Sequence, residues 1–192
     1  MCHHLLADSR LWPFLTEIDR DLAEKTREGG CVFCGSAVHC AHYPRKARGA
    51  DDLPEGYDLR FSFCCSLDDC RRRSTPPSVR FLGAKVYLGV LVILLTAMRQ
   101  GPTPRGFKEL HHQFGVSRRT LVRWQVWWRE IFTKGAFWRG TRARFSPPLG
   151  EATLPSTLLA AFEAESSVER LLLLLKFLLP ITTRRAVAMH DL

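Results

Sequence analysis

Two pairs of closely spaced cysteines constrain the fold of this chain more than any other feature of its sequence. The first pair lies in CVFCG at positions 31–35, and the second lies in CSLDDC at positions 65–70. Two thiolates separated by two residues can chelate one ion from a tight turn, and the glycine that follows can take a positive φ and aim amides at the sulfurs. Two such pairs held on short β-hairpins form the four-sulfur site of a zinc ribbon.

The predicted ligands of a structural zinc ion are four thiolates, a donor set that favours Zn²⁺ over hard cations such as Mg²⁺. They are Cys31, Cys34, Cys65 and Cys70. The longer spacing in the second pair leaves the choice of ligand open, and the other candidates are Cys64, Cys40, His39 and His42. A catalytic zinc would need an open position and a nearby acid or base, and the sequence has no HExxH motif. In the alternative reading, the cysteines are small buried hydrophobes.

The cysteine count and the apolar runs bear on the compartment. The chain has seven cysteines, an odd number, and its first ten residues lack the pattern of a secretory signal. We therefore expect reduced thiols and a cytoplasmic location. The longest apolar run, Val86–Met98, has 13 residues, whereas a bilayer-spanning helix needs about 20. We expect a buried helix there and no membrane partner.

Breaks in hydrophobic periodicity divide the chain into four parts. They are an N-terminal helix in 1–30, a zinc ribbon in 31–82, an apolar helix plus a helix-turn-helix in 84–145, and C-terminal helices in 146–192. The helices are predicted at 5–28, 84–99, 155–165 and 167–179, with Ser167 capping the last one and Pro180 ending it. The expected fold class is mainly α with a small β zinc ribbon, followed by the helix-turn-helix and C-terminal helices.

Positive charge is concentrated in one segment. The chain has a formal net charge of +9, and residues 99–145 carry 11 basic and 2 acidic side chains, an excess equal to that of the whole protein. Such an excess favours an acidic partner, most often nucleic acid. Double-stranded DNA is the partner that we expect.

The same segment has the pattern of a helix-turn-helix over residues 105–133. Gly115 and Val116 would form the turn, and Ser117 would cap the second helix. Four apolar residues recur at helical spacing in that helix and are expected to face the core: Leu121, Trp124, Trp128 and Ile131. A plain amphipathic hairpin with a basic face is the alternative.

Five arginines are the candidate nucleic-acid contacts. Arg118, Arg119 and Arg123 lie off the apolar stripe near the start of the second helix, where a recognition helix enters the major groove. Arginines there can bind phosphates, or guanine in a bidentate manner. Further along, Arg139 and Arg142 would belong either to a phosphate-contacting arm or to a solvated loop.

The last predicted helix is apolar almost all round, with five consecutive leucines at 171–175. Such a helix requires burial on several sides. It would either pack on the apolar helix of the same chain or form a homodimer interface, which would suit a DNA-binding protein that reads two half-sites.

Taken together, these motifs resemble the N-terminal part of bacterial insertion-sequence transposases that begin with a zinc ribbon. The resemblance lies in residues 31–36, 60–65 and 70–82, and in the turn at 115–120, and it covers roughly residues 31–132. It implies bound zinc and recognition of DNA from a mobile element.

The transposases of this family also carry an RNase H-like domain in which Asp, Asp and Glu hold two Mg²⁺ ions. After residue 133 the chain shows helical patterns instead, and Glu165 and Glu169 form an i, i+4 pair typical of a solvated helix face. We therefore expect a zinc-containing DNA-binding protein that lacks the catalytic domain and is not an enzyme, with nuclease or transposase activity as the minor alternative. A zinc-ribbon adaptor that binds protein or RNA is the main rival.

Overall fold

The computed structural model describes residues 8–45, 53–82, 88–97 and 116–183. These residues form six α-helices and a small amount of antiparallel sheet. The helices are α1 (Leu11–Glu28), α2 (Gly89–Thr96), α3 (Arg118–Val126), α4 (Ala136–Thr141), α5 (Ser156–Ala160) and α6 (Ser167–Phe177). A π-helical turn over Trp127–Phe132 extends α3, and short 3-10 turns cover Arg142–Arg144, Glu151–Thr153 and Leu179–Thr182.

The sheet lies between α1 and α2 in the chain, within the region where a β structure is predicted. Its strands are β1 (Val38–Cys40), β2 (Tyr43–Pro44), β3 (Leu59–Arg60), β4 (Phe63–Cys65) and β5 (Arg73–Ser74). Strand β4 is central and pairs antiparallel with β1 and β5, whereas β2 and β3 form a separate antiparallel pair. The predicted combination of helices with a small β region is therefore confirmed.

Helix α1 begins at Leu11, later than the predicted start at residue 5, and residues 5–7 lie outside the described part of the chain. The side chain of Asp8 accepts a hydrogen bond from the backbone N–H of Arg10 at 3.0 Å. This local turn holds residues 8–10 out of the helix. Pro13 lies in the first helical turn, where its missing N–H removes no helical hydrogen bond.

Helix α2 is shorter than predicted and completely buried. Leu88 is extended and bridges Phe81, so that the helix starts at Gly89 rather than near residue 84. Residues 83–87 and 98–99 are outside the described ranges. A Cβ on Gly89 would lie 3.1 Å from the Leu175 side chain of α6 and 3.3 Å from the carbonyl oxygen of Val79. Glycine therefore permits a close approach between these elements.

Helix α6 packs into the same core as α2. Leu171, Leu174 and Leu175 are buried within the chain. The intrachain alternative is thus observed for these leucines, and the homodimer through this helix remains a prediction.

The ends of the two C-terminal helices differ from the prediction. Helix α5 covers Ser156–Ala160 instead of 155–165. The cap of α6 is Ser166 and not Ser167, because the Ser166 hydroxyl accepts from the Glu169 N–H at 3.1 Å. In turn, the Glu169 carboxylate accepts from the N–H of Glu165 at 3.1 Å. Helix α6 ends at Phe177, before Pro180, which lies in the following 3-10 turn.

A fully buried ion pair joins α1 to the segment that leads from the sheet to α2. The Arg80 Nε donates to Asp19 Oδ2 at 2.8 Å, and both side chains are completely buried. The Ser78 hydroxyl donates to the same carboxylate at 2.5 Å. The Arg80 guanidinium also donates to the carbonyl oxygens of Tyr57 and Leu59, at 2.8 and 2.9 Å. These hydrogen bonds hold the sheet region against α1.

Candidate metal centre and basic helix

The four cysteines selected from the sequence come together at one end of the sheet. The sulfur atoms of Cys31, Cys34, Cys65 and Cys70 all lie within 4.8 Å of one another. The Cys31–Cys70 and Cys34–Cys65 sulfur pairs are separated by 3.7 and 3.4 Å, and none of the four is in a disulfide. A tetrahedral ion with Zn–S bonds of about 2.3 Å would place its sulfurs about 3.8 Å apart. The cluster therefore has the dimensions of a four-sulfur metal site.

Two tight turns deliver these sulfurs. Gly35 follows Cys34 and has a φ of 76°, and Arg71 follows Cys70 and has a φ of 43°. The same left-handed step after the second cysteine thus occurs in both turns. The glycine predicts this conformation at Gly35, whereas the arginine side chain gives no sign of it at Arg71. The position directly after Cys70 was the available signal.

Hydrogen bonds and burial act differently on the individual thiols. Hydrogen bonds from the hydroxyl and the backbone amide of Ser36 lower the pKa of Cys34 to about 6. Burial raises the pKa of Cys65 to about 12, against the hydrogen bond from the Leu67 amide. A thiolate is the metal-binding form, so the amides favour binding, while the buried Cys65 requires a cation to offset its lost hydration.

Cys64 and Cys65 differ in their surroundings because consecutive side chains of β4 point to opposite faces. Cys65 is buried in the sulfur cluster. Cys64 lies opposite His39 and Arg73 in the strand register, and its thiol donates to the Arg71 carbonyl at 3.4 Å. The structure therefore brings Cys65, not Cys64, to the other three sulfurs.

The remaining candidate ligands near the first pair also lie outside the cluster. Cys40 and His39 are exposed in β1. His42 accepts the backbone N–H of Ser62 at 3.1 Å through Nδ1. This contact gives His42 a structural role between neighbouring strands.

Helix α3 begins where the helix-turn-helix pattern places its second helix. The Ser117 hydroxyl accepts from the Thr120 N–H at 3.2 Å, as expected for the cap. Val116, Leu121 and Trp124 are buried. Gly115 and the predicted first helix fall outside the described residues.

One predicted core position of this helix is wrong. Ile131 is 60% exposed, and Phe132 is buried in its place. The cause is the π-helical turn over Trp127–Phe132. A π-helical turn contains more residues than an α-helical one, so the next buried residue after Trp128 is Phe132 instead of Ile131. Thr96 accepts the indole N–H of Trp128 at 3.0 Å and so fixes this turn against α2.

The five candidate arginines fall into two groups. Arg118, Arg119 and Arg123 are exposed along the first two turns of α3. Arg139 is exposed on α4, and Arg142 starts the following 3-10 turn, where it pairs with Glu151 at 3.4 Å. All three arginines of the first group are exposed on one helix, and Arg142 of the second group is partly neutralised by Glu151.

The exposed side of α3 and its π-helical extension also carries apolar residues, of which Val122 and Val126 were not expected from the sequence. Val122 is 48% exposed, Val126 39% and Ile131 60%. Their alternation with arginines along the helix was the available signal. This face is therefore both basic and apolar.

Comparisons with protein families, with curated proteins and with solved structures returned no match to this chain. The resemblance to insertion-sequence transposases accordingly rests on the motifs alone. Among the described residues, no helix combines the length and apolar character needed to cross a membrane.

Proposed function

We propose that this chain is a zinc-containing DNA-binding protein, similar to the N-terminal part of insertion-sequence transposases. The single observation that carries the DNA-binding part is α3, a serine-capped helix that exposes Arg118, Arg119 and Arg123 while burying its opposite side. Zinc forms the structural centre of the ribbon, and the DNA target belongs to a mobile element.

The donor set supports zinc. Four sulfurs at tetrahedral spacing suit Zn²⁺, and backbone amides directed at Cys34 and Cys65 compensate the negative charge of the thiolates. The turns that carry the sulfurs flank β1 and β4, which are paired in the same sheet. The ion therefore ties together the two turns that flank these paired strands, and its role is structural.

The arrangement of α3 supports recognition of duplex DNA. The N-terminal half of a recognition helix lies in the major groove, where arginines bind phosphates or guanine. Trp124 and Trp128 anchor the opposite side of the helix in the core, and so the basic face is held on a rigid element. The high positive charge of residues 99–145 acts in the same direction.

The test is the affinity for mixed-sequence duplex DNA as a function of salt, followed by selection of a preferred site. We expect a steep loss of affinity with salt, and we expect Arg118→Ala and Arg123→Ala each to weaken binding several-fold while circular dichroism stays unchanged. Arg20→Ala is the matched control, because Arg20 is an exposed helical arginine that pairs with Glu17. Salt-independent binding, or α3 variants that bind as tightly as the control, would exclude this interface.

One observation favours a second function, a zinc-ribbon adaptor that binds a protein. Val122 and Val126 lie one helical turn apart on the exposed side of α3, next to Arg123, and exposed apolar residues of this kind occur at protein interfaces. A competition experiment separates the two functions. Duplex DNA displaces a bound acidic protein or RNA if α3 is a DNA-reading helix, and fails to displace it if the adaptor function holds.

A further inference from the structure

Three arginines lie at the end of α4 and in the 3-10 turn that continues it. They are Arg139, Arg142 and Arg144, and all three side chains are exposed. Arg139 and Arg142 are three residues apart in this continuous winding, which places them on the same side of it. Residues 131–150 contain four basic side chains and no acidic one, and the first carboxylate after them belongs to Glu151. The three arginines are called the basic arm below.

Glu151 is held in place by a buried tryptophan. Its Oε1 atom accepts the indole N–H of Trp138 at 2.7 Å, and Trp138 is 1% exposed. The Trp138 ring stacks on Phe145 and packs against Phe132, with centroid separations of 6.0 and 5.2 Å. A buried N–H that loses its acceptor is costly, so the carboxylate stays beside the indole. The position of this negative charge is therefore set by the core.

The contact between Glu151 and Arg142 is weaker. The Arg142 Nη1 atom lies 3.4 Å from the Glu151 Oε1 atom, and the two side chains are 58% and 40% exposed. An ion pair of this length and exposure contributes little because water screens it. Arg142 can therefore turn towards another anion while Trp138 keeps Glu151 in place. The other two arginines of the arm form no ion pair with a carboxylate of the described residues.

We propose that the basic arm binds backbone phosphates of DNA and that Glu151 limits this binding as a fixed competing charge. A phosphate oxygen accepts charge-assisted hydrogen bonds from arginine as a carboxylate does, and binding to a duplex also releases condensed counterions. A phosphate that binds Arg142 comes close to the Glu151 carboxylate, and like charges at that range repel. This inference goes beyond the proposed function, because it concerns a different element and does not require the arm and α3 to contact the same duplex.

The experiment removes the charge of Glu151 from the full chain and keeps its hydrogen-bond acceptor. Glu151→Gln retains a side-chain oxygen that can accept the Trp138 N–H. Glu17→Gln is the matched control, because Glu17 is an exposed carboxylate that pairs with the exposed Arg20 on α1. The probe is a mixed-sequence duplex of about 40 base pairs at several salt concentrations. We expect Glu151→Gln to bind about three- to fivefold more tightly at about 0.1 M salt and to steepen the slope of log affinity against log salt by up to about 0.9, while the control changes little.

A double variant shows whether Arg142 mediates the effect. We expect Arg142→Gln to bind more weakly than the wild type, and the further change Glu151→Gln to raise its affinity no more than the control does. A gain of equal size with and without Arg142 would overturn the inference, because it would report net charge alone. Reduced stability of Glu151→Gln in urea with unchanged DNA affinity would also overturn it, because the role of Glu151 would then be structural.

The outcomes separate this inference from the proposed function. The α3 interface fails if Arg118→Ala and Arg123→Ala bind as tightly as Arg20→Ala. The inference nevertheless stands if the gain from Glu151→Gln still depends on Arg142. If the α3 variants lose affinity and Glu151→Gln gains none, the inference fails alone. A wild-type protein that does not bind duplex DNA excludes both.

Discussion

At the scale of single residues, the sulfur cluster depends on which of two neighbouring cysteines points inward. Cys65 is buried among the other three sulfurs, and Cys64 hydrogen bonds to the Arg71 carbonyl on the other face of β4. Exchanging the roles of these residues would require a one-residue shift of the strand, which would turn Phe63 out of its buried site as well. The packing of Phe63 thereby selects which of the two cysteines joins the sulfur cluster.

This difference yields a prediction with a built-in control. Cys34→Ser should abolish zinc binding and destabilise the sheet, because one thiolate is lost from the site and binding is coupled to folding. Cys64→Ser should leave one zinc per chain. Native mass spectrometry of protein purified reduced and without chelator, before and after denaturation, measures both variants. A zinc-free Cys64→Ser protein, or a zinc-loaded Cys34→Ser protein, would contradict this ligand set.

At the scale of elements, the helix that begins at Ser117 changes its winding halfway along. Its first part is α-helical and buries Leu121 and Trp124 at ordinary helical spacing. The π-helical turn that follows contributes Trp128 and Phe132 to an aromatic group in which their ring centroids lie 4.9 Å apart. The turn therefore buries the rings of Trp128 and Phe132 in the core and leaves Ile131 exposed.

The winding can be tested by two adjacent truncations. Phe132→Ala should destabilise the protein by about 3–5 kcal/mol, because it leaves a cavity among buried aromatic rings. Ile131→Ala should change the stability by no more than about 0.5 kcal/mol, since that side chain is exposed. Urea denaturation of both variants gives the comparison. A regular α-helix with Ile131 in the core would produce the reverse order.

At the scale of the whole molecule, Asp19 and Arg80 link the sheet region to the helices. The carboxylate accepts hydrogen bonds from Arg80, Ser78 and the Val79 amide, and the guanidinium donates to the carbonyls of Tyr57, just before β3, and Leu59, the first residue of β3. The side chains of both Asp19 and Arg80 are inaccessible to solvent. The electrostatic attraction between two buried charges is largely offset by the cost of removing them from water. Removal of one partner, however, leaves the other charge buried without compensation.

Asp19→Ala should accordingly reduce the free energy of unfolding by about 3–5 kcal/mol, the cost of an unpaired buried arginine. Asp21→Ala, on the exposed side of the same helix, is the control and should have little effect. Urea unfolding followed by circular dichroism provides both values. Equal stabilities for the two variants would show that Arg80 finds other partners and that the link is dispensable.

Much of this architecture can be predicted from local patterns in the sequence. Spacing and turn residues were enough to select Cys31 and Cys34. A serine followed by apolar residues at helical spacing was enough to place the cap of α3. These features involve residues that are close in the chain, so their geometry depends little on the rest of the fold. The predicted helix starts were less accurate. Contacts of Asp8 and Leu88 delay the starts of α1 and α2, and hydrophobic periodicity does not report such contacts.

What the sequence alone determined is therefore the set of local elements: the cysteine turns, the amphipathic helices and the segment that carries the charge. Only the tertiary structure decided between Cys64 and Cys65, between Ile131 and Phe132, and that Asp19 would meet Arg80 from 61 residues away. The pairing of strands, the packing of rings and the burial of ions depend on distant parts of the chain brought together. These contacts are stabilised when distant segments are buried against each other and water is removed from both. A local sequence pattern does not indicate which distant residue provides the partner.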